Sequence, residues 1–275
     1  MARAADADGD GERAASRGLA VGVVAMLPLL LAYEWSLPAL EATGSSLRNT
    51  SELVLTWPLR LAGDAEPVLR VMLVAAAGVA ALIAAVRAET PPLTGAGRAA
   101  LEGVAGAFLI GPLLVLLVRL LGDAPHLAGV GETALPGARL VAFHLGAGAW
   151  EELLFRVGLY SLLYFLARRA AHFLGGVVPT DDGDEGARPV WPAVAAELVA
   201  LAGSSVLFAA FHLVDLTGGL GGGGETFDAG LFLWRALAGA LLGVLYRWRG
   251  PGAAAWTHGV FNGALALGAG PAVFL

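Results

Sequence analysis

Seven stretches of this chain, at about 18–35, 67–87, 99–121, 139–166, 190–214, 228–248 and 251–270, are apolar over a length that matches a lipid bilayer. A helix rising about 1.5 Å per residue needs roughly 20 residues to cross ~30 Å of hydrocarbon, and backbone polar groups inside that layer must be satisfied within the segment. The pattern therefore predicts an all-α fold, a polytopic membrane helix bundle of about seven transmembrane helices. With 57% hydrophobic residues, 15% charged residues and a mean hydropathy of +0.71, the chain is too apolar for an ordinary soluble domain. Residues 1–275 read as one integral membrane domain that includes a cytoplasmic N-terminal tail at 1–17. Arg3, Arg13 and Arg17 ahead of Leu19–Leu31 also have the look of a secretory signal, but the stretch runs on through Tyr33 and Trp35, which suit an interface and favour a retained helix.

All seventeen basic residues are arginine, and their placement predicts the orientation. Arg3, Arg13, Arg17, Arg87, Arg98, Arg168, Arg169, Arg188, Arg247 and Arg249 fall on one side of the seven spans, and only Arg48 and Arg60 fall in loops on the other. Ten against two puts the N-terminus in the cytoplasm of a protein of the cell membrane. The lack of lysine excludes a Walker loop in the run Gly218–Gly224, and with it Schiff-base and Ser-Lys chemistry. The lack of cysteine excludes thiol nucleophiles and thiolate zinc sites, and a net charge of −6 argues against a nucleic-acid partner. Thr180–Gly186 and Pro91-Pro92 read as connections between spans.

Against this apolar background the charges inside spans stand out. Glu151, Glu152 and Arg156 lie within six residues of one another in the fourth stretch, where each ionised group costs roughly 2.5 to 3.5 kcal/mol. On a helix the adjacent glutamates face different ways, whereas Glu152 and Arg156 share a face one turn apart. The spacing predicts a buried Glu152–Arg156 ion pair that braces the helix and leaves Glu151 to enter a polar cavity. Phe208 with His212, and His258 with Asn262, repeat the four-residue spacing on two later spans.

Trp150-Glu151-Glu152-Leu153-Leu154-Phe155-Arg156, Ser204 to Leu213 with Phe208 and His212, and Trp256-Thr257-His258-Gly259-Val260-Phe261-Asn262 together resemble the three motifs of the CPBP family. These are intramembrane proteases that include CAAX prenyl endopeptidases and bacteriocin-processing or self-immunity proteins. The resemblance covers about 139–267, so the helices of 139–270 would carry the protease motifs. It implies an intramembrane endopeptidase in which Glu151 and His212 activate water, His258 and Asn262 stabilise the oxyanion, and Glu152 and Arg156 give structural support. The implied partner is a peptide or protein substrate, lipidated or membrane-embedded, reached from the bilayer. No cofactor is favoured. A zinc-dependent version of the chemistry would use Glu151, His212 and His258, the two-His-one-carboxylate set, although the His-Glu-x-x-His signature is absent.

The rival from another class is a non-catalytic membrane protein, a proton-coupled transporter or partner-binding subunit, using the same buried residues. Serine and aspartyl intramembrane chemistry lack their usual sequence contexts here. His144, two turns before Glu151, reads as support and not as a ligand, and Glu102, Glu197, Arg119 and Arg235 read as structural pairings. Gly22, Gly78, Gly103, Gly106, Gly239 and Gly243 are expected where helices cross closely. One conflict stands: His212 falls at the outer end of its span while Glu151 is central, so straight helices would not align them.

Overall fold

The computed structural model describes residues 2–42, 48–121, 137–174, 191–215, 222–223 and 226–267. The sequence-based connection at 180–186 and most of the run 218–224 lie outside these. The elements are helices, α1 (Ala2–Ala42), α2 (Thr50–Leu55), α3 (Glu66–Arg87), α4 (Pro92–Leu121), α5 (Gly137–Glu152), α6 (Ser161–Leu174), α7 (Trp191–Phe211), α8 (Ala229–Arg249) and α9 (Pro251–Ala266). A 3₁₀ segment, Trp57–Ala65, leads into α3, and a π-helical segment, Leu153–Tyr160, joins α5 to α6. One antiparallel pairing of two residues, Val214–Asp215 with Gly222–Gly223, follows α7.

Among the described residues, five helical stretches are long and apolar enough to cross a membrane: Gly18–Ala42, Trp57–Arg87, Pro92–Leu114, Trp191–Phe211 and Ala229–Arg249. The other two expected stretches are not among these five. The stretch at 139–166 divides into α5, the π-helical segment and α6, and the stretch at 251–270 becomes α9, of 16 residues like α5. Sixteen residues reach only about 24 Å. These two helices form the interior of the bundle. In α9 the run Pro251–Ala255, Thr257, His258 and Gly259 are all buried, packed against α1, α4, α5 and α8. In α5 everything from Gly146 to Glu152 is buried.

The largest apolar cluster joins Met26, Leu29, Tyr33 and Leu37 of α1 to Phe143, Ala147 and Trp150 of α5 and Ala255 of α9. The periphery is the reverse. Val68, Met72, Val79, Ile83 and Val86 of α3 and Leu101, Leu109 and Leu120 of α4 are exposed, a surface suited to lipid and not to water. The chain is an integral membrane protein.

Local signals place the turns. Asp228 caps α8 by accepting the Leu231 amide at 2.7 Å. Gly250 alone separates α8 from α9, at φ 85°, a left-handed value that favours glycine, and Pro251 follows in the first turn, where its missing N–H costs nothing. The six glycines expected at crossings all lie at them; a Cβ on Gly103 would come within 2.4 Å of Trp256 and one on Gly106 within 2.5 Å of Thr257. Glu102 pairs with Arg98 and Arg249, and Glu197 with Arg247 and Tyr160, as expected of structural charges.

Candidate active site

The site forms where α5 and α9 touch backbone to backbone. A Cβ on Gly148 would lie 2.7 Å from the Gly259 amide nitrogen, and one on Gly259 would lie 2.5 Å from the Leu145 carbonyl oxygen. Glycine at both positions therefore lets the helices approach more closely than side chains would permit. His258, next to Gly259, is carried against the two glutamates that end α5. Its Nδ1 lies 2.8 Å from Glu152 Oε1, and its Nε2 lies 3.4 Å from Glu151 Oε2.

A carboxylate accepts, so Nδ1–H of His258 donates to Glu152, and Nε2 is the nitrogen turned toward Glu151. Glu151 is 9% exposed, Glu152 is fully buried and His258 is 5% exposed, so the three share an environment nearly closed to bulk water. Glu151 holds Oε1 at 2.8 Å from Asn49 Nδ2, while its buried Oε2 has no hydrogen-bond partner.

The Glu152–Arg156 ion pair is present at 3.3 Å, with both side chains buried. Glu152 nevertheless does more than brace its helix, because the same Oε1 receives His258. Arg156 lies in the π-helical segment, donates from Nη2 to the Gly239 carbonyl of α8 at 3.0 Å, and sets its guanidinium 4.7 Å from the Phe208 ring centroid. That contact ties α5, α7 and α8 together.

His212 sits in the turn that ends α7, half-buried. Its Nδ1 is 2.9 Å from the Phe208 carbonyl, which can only accept, so the proton is on Nδ1 and a neutral ring carries its lone pair on Nε2. The Phe208 ring stands edge-on to both histidines, 5.0 Å from His212 and 5.6 Å from His258 between centroids. Two departures from straight α-helices lie at these motifs: the π-helical segment after Glu152, and a helix α7 that stops at Phe211 and is followed by a turn at His212. Such π-helical segments recur at functional sites.

Asn262 lies one turn beyond His258 on α9, half-buried. His144 has its Nε2 buried without a hydrogen-bond partner and its ring edge-on to Phe143, 5.4 Å between centroids. Among the described residues no three His, Asp or Glu side chains are arranged to hold a metal ion, Glu151, His212 and His258 included.

Asn49 has no counterpart in the sequence reading. It precedes α2 and reaches Glu151 across 102 residues of chain. Around it Arg48 bonds Glu52 and Glu66, and Arg70 bonds Glu34 and Glu66. Partial burial works against the charge of Arg48, yet hydrogen bonds to Glu52 and Glu66 hold its pKa above the usual arginine value. The only signal in the sequence was an Asn three residues before Glu52 at a helix start, which marks a cap and says nothing of Glu151.

Comparison with protein families gives a match over part of the chain. Residues 133–264 match the model described as type II CAAX prenyl endopeptidase Rce1-like. This segment is similar to the CPBP proteases. The matched segment contains α5, the π-helical segment and α6 to α9 up to Ala264, and with them Glu151, Glu152, Arg156, His212, His258 and Asn262. It does not reach Asn49 or the charges around it. No match was found among curated proteins or among solved structures. The family is one of membrane-bound hydrolases that act as proteases of the CAAX-processing type.

Proposed function

We propose that the chain is an endopeptidase of the cell membrane that hydrolyses a peptide bond in or near the bilayer. The observation that supports this most is the pairing of Glu151 Oε2 with His258 Nε2 in a buried setting, Oε1 being anchored and Oε2 not. Glu151 takes a proton from a water molecule, with the lone pair on His212 Nε2 assisting, and the oxygen attacks the substrate carbonyl. The resulting oxyanion is met by hydrogen bonds from the Asn262 amide and from His258. His258 donates to it through Nε2–H in its doubly protonated form, in which Glu152 faces the other N–H. In a site of this burial such donors act without competition from bulk water. Collapse of the tetrahedral intermediate returns the proton to the leaving amine. The step is drawn through these side chains alone, and a CAAX-type lipidated peptide is the first substrate class to offer it, ahead of unmodified membrane peptides.

The test is cleavage by purified protein in liposomes, given a prenylated CAAX peptide and a set of membrane-embedded peptides. Wild type should cleave at least one of them, Glu151→Gln should be reduced by at least ~10³-fold, and a chelator should leave the rate unchanged. Cleavage that survives in Glu151→Gln would remove this reading. Loss with chelator and recovery with zinc would replace it with metal-assisted chemistry.

A further inference from the structure

We propose that Asn49 positions Glu151 for the reaction, and that the Arg48–Glu52–Glu66–Arg70–Glu34 cluster holds Asn49 in place; this rests on the proteolytic reading of Glu151. Asn49 uses every part of its side chain. Oδ1 accepts the backbone amides of Ser51 at 3.0 Å and Glu52 at 3.2 Å, as the cap of α2, and this leaves Nδ2 as the group directed at Glu151 Oε1, 2.8 Å away. Because Oδ1 is committed to two N–H donors, the amide cannot be turned round without losing both.

The backbone N–H of Asn49 donates to Tyr33 Oη at 2.8 Å, and Tyr33 is itself fully buried, stacked on Phe143 and edge-on to Trp150 beside Glu151. Glu52, fully buried at the third position of α2, accepts from Thr56 Oγ1 at 2.7 Å and from Arg48 Nε at 2.8 Å, with Tyr33 Oη at 3.5 Å. Arg48 then reaches Glu66 at 2.8 Å, Arg70 reaches Glu66 at 2.6 Å, and Arg70 reaches Glu34 at 2.8 Å. Three carboxylates thus share two guanidiniums between α1, α2 and α3, and Asn49 is held beside this cluster where it meets Glu151.

A glutamate side chain has three rotatable bonds, and its carboxylate would swing unless one oxygen were held. Fixing Oε1 with Asn49 leaves Oε2 as the oxygen presented to His258 Nε2 and to water. An error of about 1 Å in such a placement costs ~10²-fold in rate.

Three variants separate positioning from helix capping. Asn49→Ser and Asn49→Asp both keep an oxygen that caps α2, but serine is too short to reach Glu151 and aspartate replaces the donor with a carboxylate. Asn49→Ala loses both functions. We expect Asn49→Ala to lower the Tm, the other two to restore it, and kcat to fall by about 10- to 100-fold in all three with KM within twofold of wild type. Wild-type kcat in Asn49→Ser or Asn49→Asp would overturn the proposal and leave Asn49 as a cap. A second measurement does not depend on activity. Since the chain has no cysteine, the double variant Asn49→Cys, Glu151→Cys offers a unique thiol pair to a short bifunctional crosslinker in liposomes. Failure to cross-link would overturn the placement of Asn49. Cross-linking without any cleavage by wild type would keep Asn49 as the partner of Glu151 and remove the proteolytic reading alone.

Discussion

Glu152 is shared between a histidine and an arginine, and that sharing makes opposite demands on its replacement. Glu152→Gln keeps an oxygen for His258 Nδ1–H but removes the charge that faces both the ring and Arg156. Its expected effect is a kcat lower by about 10²-fold with KM little changed, measured by steady-state cleavage in liposomes. Arg156→Met leaves Glu152 buried without its cation, and breaking such a pair costs roughly 3 to 5 kcal/mol, read as a lower midpoint of thermal unfolding in detergent. At this scale the sequence was informative wherever chemistry disturbed an apolar background. Glu151, Glu152, Arg156 and His258 are conspicuous because bilayer-spanning helices rarely carry such groups, and the structure brings them together. Asn49 was not legible, because an asparagine between Arg48 and Thr50 in a polar connection is unremarkable until folding sets it against a residue more than a hundred positions away.

At the level of the helices, the site depends on a contact that is made of nothing but backbone. Gly148 and Gly259 bring α5 and α9 together, and the expectation for overpacking them is specific: Gly259→Ala forces Cβ to within 2.5 Å of the Leu145 carbonyl, which is backbone and cannot swing aside. The expected cost is about 1 to 3 kcal/mol in stability, together with a loss of cleavage larger than that of an equally destabilising change on the lipid face of α3. Six glycines at other crossings were legible as such, but these two were lost among 39 glycines whose spacing has no single period. The same limit explains the fourth span. Apolarity marked 139–166 as one helix, whereas the π-helical segment after Glu152 depends on how Arg156 meets the Gly239 carbonyl and the Phe208 ring, which no local pattern encodes.

The whole molecule has an apolar jacket around an apolar core that encloses buried charges, and its orientation can be tested directly. The arginine distribution predicts that the 3₁₀ segment before α3 faces away from the cytoplasm and the turn between α3 and α4 faces toward it. In the cysteine-free background, Asp64→Cys, exposed in that segment, should react with a membrane-impermeant maleimide in intact cells. Glu89→Cys, exposed in the turn, should react only after permeabilisation. The reverse result would invert the topology without altering the site. All-helical architecture and membrane residence were legible from hydropathy alone, because length and apolarity are what the bilayer selects. A count of seven was less secure, since apolarity does not distinguish a helix wrapped by lipid from one wrapped by other helices.

That wrapping of α9 bears on biosynthesis. His258 and Asn262 sit on a helix that is translated after α1, α4, α5 and α8, the four walls it fills. While the chain is still emerging, Glu151 lacks the imidazole of His258 and the amide of Asn262, with Asn49 and His212 already made. On the proteolytic reading, the two oxyanion donors therefore arrive in a single late step of assembly, when a small-residue helix enters a prepared slot.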